Sequence, residues 1–290
     1  MYQLLLSLQL LITVSADTTQ YPFPYSIKRV TKSFDWKNYE LKLSQRFKDS
    51  VLLTLMEEYP FYIGNPDADP EYYIRSFHFV NLNGDSCPDL VYEGWTGSEG
   101  NMVQFYLNRQ YSMEKVYKDF MNIIDWKFDN NRLSSVVIFN PGCCAETVQF
   151  ERHIRFDGAF KPEVTLQRAI LIGMDVFEKD FPTPEGYFPQ PVPFKTLNEE
   201  YSLRYSPVIT DSVPLTWGDD EKKGNIIALY PKGSRGIAWA YKKDDIGREW
   251  WLVEMQPQVF LSFSRYWDYD DQLTHYYGWM SSRFLEKLVY

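Results

Sequence analysis

The chain is poor in the residues from which reactive centres are usually built. Three cysteines (Cys87, Cys143, Cys144) and three histidines (His78, His153, His275) are scattered through 290 residues. No C-x-x-C pair exists and the histidines show no ligand spacing, which excludes a zinc site of ordinary pattern. There is no G-x-S-x-G elbow and no H-E-x-x-H pair, so the commonest hydrolase and metalloprotease signatures are missing. Cys143 or Cys144 could be paired with His153 by composition. Their place in a hairpin turn, rather than at a helix N-terminus, gives no device for lowering the thiol pKa. Basic residues are also in deficit: 30 Lys and Arg against 39 Asp and Glu leave a formal charge of −9. A phosphate backbone or an anionic membrane surface would repel such a chain, which argues against nucleic acid as a partner. No later segment is long and apolar enough for a transmembrane helix.

Apolar and aromatic residues, by contrast, are plentiful. Hydrophobic residues make up 44% and aromatic residues 18% of the chain, with 22 Tyr, 20 Phe and 9 Trp. This is enough for packed cores, and the aromatic weight favours strands. The length suits two ordinary domains. The first sixteen residues, M-Y-Q-L-L-L-S-L-Q-L-L-I-T-V-S-A, form a short apolar run ending in the small residues Ser15 and Ala16. That pattern predicts a signal peptide cut before Asp17, and a soluble secreted or periplasmic product. The expected organisation is a signal at 1–16, a leader at 17–38, a β domain at 39–178, a proline-rich linker at 179–204 and a second β module at 205–290.

The most informative stretch runs from Val80 to Arg109. Side-chain oxygens recur at Asn81, Asn83, Asp85 and Asp89, the first, third, fifth and ninth places of a loop bent at Gly84 and Pro88. A short backbone wraps oxygen ligands round a hard cation such as calcium in this way, and a polar turn without metal can take the same shape. Two runs follow, Leu90–Trp95 and Met102–Leu107, separated by T-G-S-E-G, and they predict an antiparallel hairpin.

The string N-L-N-G-D-S-C-P-D-L-V resembles the calcium-loop repeat of the FG-GAP and VCBS families, D-x-N-G-D-G-x-x-D-L followed by a hairpin ending in Leu-Asn, here Leu107-Asn108. About thirty residues are covered. The resemblance implies calcium ligands at Asn81, Asn83, Asp85 and Asp89, with the Cys87 carbonyl as a backbone ligand. The chain departs from the pattern at Asn81, where the family has Asp, and at Ser86, where it has Gly.

Elsewhere in the first half, Leu43, Phe47, Val51, Leu52 and Leu55 recur at helical spacing and predict an amphipathic helix over 38–58, with Asn38 as its cap. Residues 111–131 read as a polar connection to a second hairpin, 135–140 and 147–156, and 164–176 as a further strand. The approach D-W-K-F-D-N-N-R-L looks like a decayed copy of the first loop. Five prolines lie between Phe181 and Phe194, and they predict a stiff, extended linker.

From Ser206 onward, short apolar runs at 212–217, 224–230, 236–241, 250–255 and 278–284 suggest a small barrel. The strings G-N-I-I-A-L-Y-P-K-G, W-W-L-V-E and Y-G-W-M-S-S-R-F-L give this part the look of a bacterial Src-homology-three-like (SH3b) domain. It departs from that family in a long insertion, 256–276. The resemblance implies a module that binds a cell-wall peptide, a glycan or a protein segment through aromatic and polar loops. Trp217, Tyr241 and Trp267 are the stacking candidates, and Asp268 and Asp270 supply polar recognition. Trp250 and Trp279 are expected in the core.

The combined expectation is a mainly β protein, with a β-hairpin repeat domain carrying one N-terminal helix and a small SH3-like barrel. Its expected role is exported and non-catalytic: recognition of a cell-envelope ligand by the second module, with calcium bracing the first. Two alternatives differ in class. One is an envelope-glycan hydrolase using paired carboxylates; the other is a structural module that docks another exported protein.

Overall fold

The computed structural model describes residues 34–58, 74–95, 101–110, 112–140, 148–171, 182–209, 224–258, 261–264 and 274–289. Trp36–Asn38 form a short 3-10 turn capped by the Asp35 carboxylate, and helix α1 spans Gln45–Glu58. The helix begins later than its apolar spacing predicts. Ser44, rather than Asn38, takes the cap position, its Oγ accepting from the Phe47 N–H at 3.3 Å.

Four strands follow as an antiparallel meander: β1 (Phe77–Val80), β2 (Asp89–Trp95), β3 (Asn101–Asn108) and β4 (Met113–Asp119). The two central strands are apolar on both faces because both faces are covered. Leu90, Tyr92, Met102 and Tyr106 pack under Leu52 and Leu55 of α1. The alternate residues Val91, Val103, Phe105 and Leu107 face a second sheet.

That sheet starts with β5 (Asn122–Asp129), β6 (Arg132–Asn140), β7 (Val148–Phe156) and β8 (Pro162–Leu171), each antiparallel to the next. The residues expected to form a polar connection at 111–131 are thus mostly β4 and β5. Trp126 and Ile123 bury one side of β5 while Asp125 and Lys127 face outward, an alternation too charged to announce itself. Asn130 and Asn131, both with positive φ (52° and 62°), turn β5 into β6. Such a two-residue turn matches the twist of the flanking strands, and asparagine tolerates it. The apparent decayed copy of the first loop is therefore a strand and a hairpin turn.

The second half adds β9 (Gly186–Thr196), β10 (Glu200–Arg204), β11 (Ile226–Pro231), β12 (Arg235–Lys243), β13 (Glu249–Met255), β14 (Phe263–Ser264), β15 (Thr274–Ser281) and β16 (Leu285–Lys287). The ladder continues from β8 into β15, then β13, β12, β9 and β16, while β10, β11 and β14 branch from it. Neither sheet closes on itself. Part of the segment expected to be a linker is thus a strand, β9. Proline keeps its carbonyl acceptor while lacking a donor, and Pro189 and Pro191 fall where the β9–β12 register slips, between Ala238↔Val192 and Ala240↔Tyr187. The sheet crosses the expected boundary through parallel pairing of Thr274–Tyr277 with Gln167–Ile170.

Candidate functional site

The Asn81–Asp89 loop is held by its own oxygens. Asn81 Oδ1 accepts from the Gly84 N–H, Asn83 Oδ1 from the Asp85 N–H and Asp85 Oδ1 from the Cys87 N–H, at 2.8, 2.9 and 2.6 Å. Gly84 adopts a φ of +80°, which its lack of a Cβ permits. Asp89 points the other way. Its Oδ2 accepts from the Leu82 and Asn83 N–H groups and its Oδ1 from the Asn108 N–H. Burial pushes this carboxyl up to about 6, against the pull of those three backbone donors. Leu82, fully buried, carries the loop onto the large sheet, its carbonyl accepting from the Leu133 N–H.

Each of these three oxygens keeps a second lone pair. Asp85 is the exposed carboxylate of that set. Among the described residues no group of three or more His, Cys, Asp or Glu gathers to hold a metal ion. Cys87 is a free, half-buried thiol; Cys143 and Cys144 lie outside the described residues.

A groove of about 490 Å³ opens on the second half, lined by Tyr201, Arg204, Arg248, Trp250, Arg283 and Phe284 together with Ser202, Ser281, Ile209 and Ile246. Its parts come from three places. Tyr201 and Arg204 stand on β10; the Asp244–Arg248 turn leads into Trp250 of β13; Arg283 and Phe284 sit in the 3-10 turn Ser282–Phe284 after β15. Each guanidinium has its own support. Arg204 Nη1 donates to Asn225 Oδ1 at 2.8 Å. Arg248 lies over the Trp250 ring with its Nε 3.0 Å from Asp244 Oδ2. Arg283 lies over the Phe284 ring, 5.2 Å from its centroid. All three act on Tyr201. Burial raises its phenol above the ordinary value, against the Ser281 side chain and the fields of Arg204, Arg248 and Arg283, which pull it down. Beneath the groove, Trp250 and Trp279 pack with Ala240 and Leu252 as a small core of their own, in agreement with the expectation for these two tryptophans.

Tyr241, expected to stack on a ligand, is set apart from this groove. It pairs with Trp251 across the β12–β13 ladder, so it shares the face of Trp251, opposite that of Trp250. Its ring packs on Phe188, 5.4 Å between centroids. Trp217, Trp267, Asp268 and Asp270 lie outside the described residues. The three arginines were missed because they are far apart in the chain and each alone reads as a surface cation. S-S-R-F directly after G-W-M was the local signal available.

A second cluster, fully buried, sits where β8 meets β15. Arg168 Nη1 donates to Glu151 Oε1 at 2.7 Å and Arg168 Nε lies 3.5 Å from Glu254 Oε1. Glu254 also accepts from Trp239 Nε1 and from the Tyr277 hydroxyl. His275 Nδ1 lies 3.0 Å from Glu254 Oε1 but off the line of a hydrogen bond. Burial would raise the Glu254 carboxyl; the contacts with His275, Arg168 and Tyr277 outweigh it and hold the group at about 2. Glu151 is likewise held below its ordinary range by His153 and Arg168 against the effect of burial. These carboxylates are occupied by a cation and shut from water, which suits a clamp between the two halves.

Fold and groove together define a mainly β protein bearing a depression lined, among the described residues, by arginines and aromatic rings. Comparison with protein-family models, with curated proteins and with solved structures gives no match.

Proposed function

We propose that the chain is an exported, non-catalytic binding protein whose C-terminal module recognises a cell-envelope ligand. The observation that carries this reading is the groove, lined among the described residues by Arg204, Arg248 and Arg283 and the rings of Tyr201 and Phe284, with the buried Trp250 in its wall. Concave sites with apolar walls and a few placed polar groups are where small molecules and peptide segments bind. The SH3-like resemblance is supported by strand order: the β12–β13–β15 meander, then the 3-10 turn, then β16 returning antiparallel to β9.

Calcium bracing of the first domain belongs to the same proposal. Asn81, Asn83, Asp85 and the Cys87 carbonyl would hold the ion at the outward face of the loop, and Asp89 would anchor that loop from below. The ion's contribution is rigidity.

The alternative as a glycan hydrolase requires two carboxylates flanking an open cleft, roughly 5 to 10 Å apart. Glu151 and Glu254 offer no such opening, both being buried against Arg168. Binding is therefore the reading the geometry supports best.

Co-sedimentation of the purified protein with peptidoglycan sacculi, in calcium and in excess chelator, tests it. Pelleting in both conditions, reduced by Arg248→Gln and Arg283→Gln, is expected. Absence of pelleting in either condition would remove the envelope wall as ligand.

A further inference from the structure

We propose that Gln167 and Thr274 join as a side-chain ester, closing the seam between the two halves of the large sheet with a covalent bond. This bond forms whether or not the groove binds a ligand. Gln167 stands on β8 between two cross-strand neighbours: Arg152 is its partner on β7 and Thr274 its partner on β15. Directly paired residues share a face of the sheet, so the three side chains make one row. Along that row Arg152 Nε donates to Gln167 Oε1 and Gln167 Nε2 donates to Thr274 Oγ1, both at 2.6 Å. Gln167 is 8% exposed and Thr274 1%. An alcohol oxygen is thereby held against a carboxamide whose carbonyl already faces a guanidinium.

These contacts supply the parts of an acyl transfer. Thr274 Oγ1 attacks Gln167 Cδ, the carbon bonded to the nitrogen it already touches. The negative charge then developing on Oε1 is met by Arg152, whose Nη1 is anchored 2.6 Å from Asp119 Oδ2, itself the acceptor of the Tyr117 hydroxyl at 2.7 Å. A fixed donor aimed at that oxygen stabilises the tetrahedral intermediate. The Cδ–Oγ1 bond forms, the Cδ–Nε2 bond breaks, and the hydroxyl proton passes to Nε2, which leaves as ammonia. Nothing is oxidised or reduced, and the conversion of ammonia to ammonium in neutral water draws the exchange forward. Pairing within the sheet makes the attack intramolecular, which removes much of its entropy cost. Burial keeps water from the ester once it is made. Thr274 and Gln167 are also the end pair of the parallel ladder, which runs only as far as Tyr277 and Ile170. A covalent bond there stops the ladder from opening at that end.

The full protein, kept folded at neutral pH, is digested with trypsin and read by mass spectrometry. Peptides 156–168 and 266–283, which carry Gln167 and Thr274, are expected as one joined species, lighter than their sum by one ammonia. Hydroxylamine, which cleaves esters and spares amides, should part them. Thr274→Val keeps the side-chain shape and removes the nucleophile, so the joined species should vanish. Thr274→Ser restores a hydroxyl and should restore the link. Arg152→Gln should slow its appearance about tenfold or more, since the developing charge on Oε1 loses its cationic donor. Circular dichroism of Thr274→Val matching that of the parent chain assigns its failure to the missing hydroxyl and not to the fold. Separate, unmodified peptides from the folded parent chain would overturn the ester, whatever the variants do. So would a link that resists hydroxylamine or one that persists in Thr274→Val.

Discussion

Arg168 of β8 and Glu254 of β13 meet across β15, 3.5 Å apart, with the arginine wholly out of contact with solvent and the glutamate almost so. Glu151 completes the triad from the opposite side. Replacing the cation alone leaves two buried carboxylates without compensation. Arg168→Met is therefore expected to destabilise the protein by roughly 3 to 5 kcal/mol, read from urea unfolding. Adding Glu151→Gln and Glu254→Gln to Arg168→Met should recover part of that loss; a triple variant no more stable than the single one would contradict the clamp.

The same network sets an acid limit. The Glu254 carboxyl titrates at about 2 in the folded chain against an ordinary value of 4.5. A depressed carboxyl stabilises the fold above its unfolded pKa, and the contribution is lost as pH falls through the folded value. About 3 kcal/mol should disappear between roughly pH 4.5 and 2. Unfolding free energies measured down that range should fall more steeply in the parent chain than in Glu254→Gln. Parallel acid limbs would show that Glu254 is not the group responsible.

At Gly278, beside the Arg204↔Trp279 pair, β15 lies tight against β10. A Cβ there would stand 2.7 Å from the Arg204 carbonyl oxygen and 2.8 Å from Leu203 Cγ. Backbone cannot yield as a flexible side-chain end can, so Gly278→Ala should cost about 1 to 3 kcal/mol. Because β10 carries Tyr201 and Arg204, the substitution should also disturb the groove they line and weaken pelleting with sacculi. A fully stable variant with unaltered binding would mean the strands tolerate separation.

Asp89 gives the loop a metal-independent anchor. Asp89→Ala strips acceptors from the Leu82, Asn83 and Asn108 N–H groups, at about 1 to 3 kcal/mol for each buried donor left without a partner. Thermal unfolding should therefore show a large loss in chelator and in calcium alike. In the parent chain, calcium at about a hundred times its dissociation constant should add roughly 2.7 kcal/mol. Identical melting curves with calcium and with chelator would remove the ion from the proposal, while leaving the anchor intact.

The parts of this fold legible in the sequence are those where one physical rule dominates. Leu90–Trp95 and Met102–Leu107 are apolar runs bounded by polar turns, and they became β2 and β3 with little displacement. Leu52 and Leu55 kept their helical face on the sheet, although the residues before Ser44 did not join the helix. β4, with the sequence M-E-K-V-Y-K-D, looked like a connection because its edge position exposes charge. β9 was obscured by prolines, whose lost donors matter less where the register slips.

Of the candidate sites, the Asn81–Asp89 turn was visible in the sequence because its side-chain oxygens alternate at Asn81, Asn83 and Asp85. The groove and the buried triad were not. Arg204, Arg248 and Arg283 are joined only by β10, the turn before β13 and the 3-10 turn coming together. Glu151, Arg168 and Glu254 look in sequence like any solvated charges, since a buried ion pair is defined by long-range pairing. Tyr241 was selected for its ring alone, and the alternation of β12 turned that ring to the other face.

The parallel ladder between β8 and β15 brings Gln167 into a side-chain hydrogen bond with Thr274, 107 residues away. A chain delivered from its N-terminus therefore completes β5 to β7 while the far edge of β8 still waits for a partner. Until the closing stretch of the polypeptide arrives, that edge offers unpaired backbone groups to any neighbouring strand. The described residues 274–289 thus decide whether the edge of β8, and with it the first half, is covered at all.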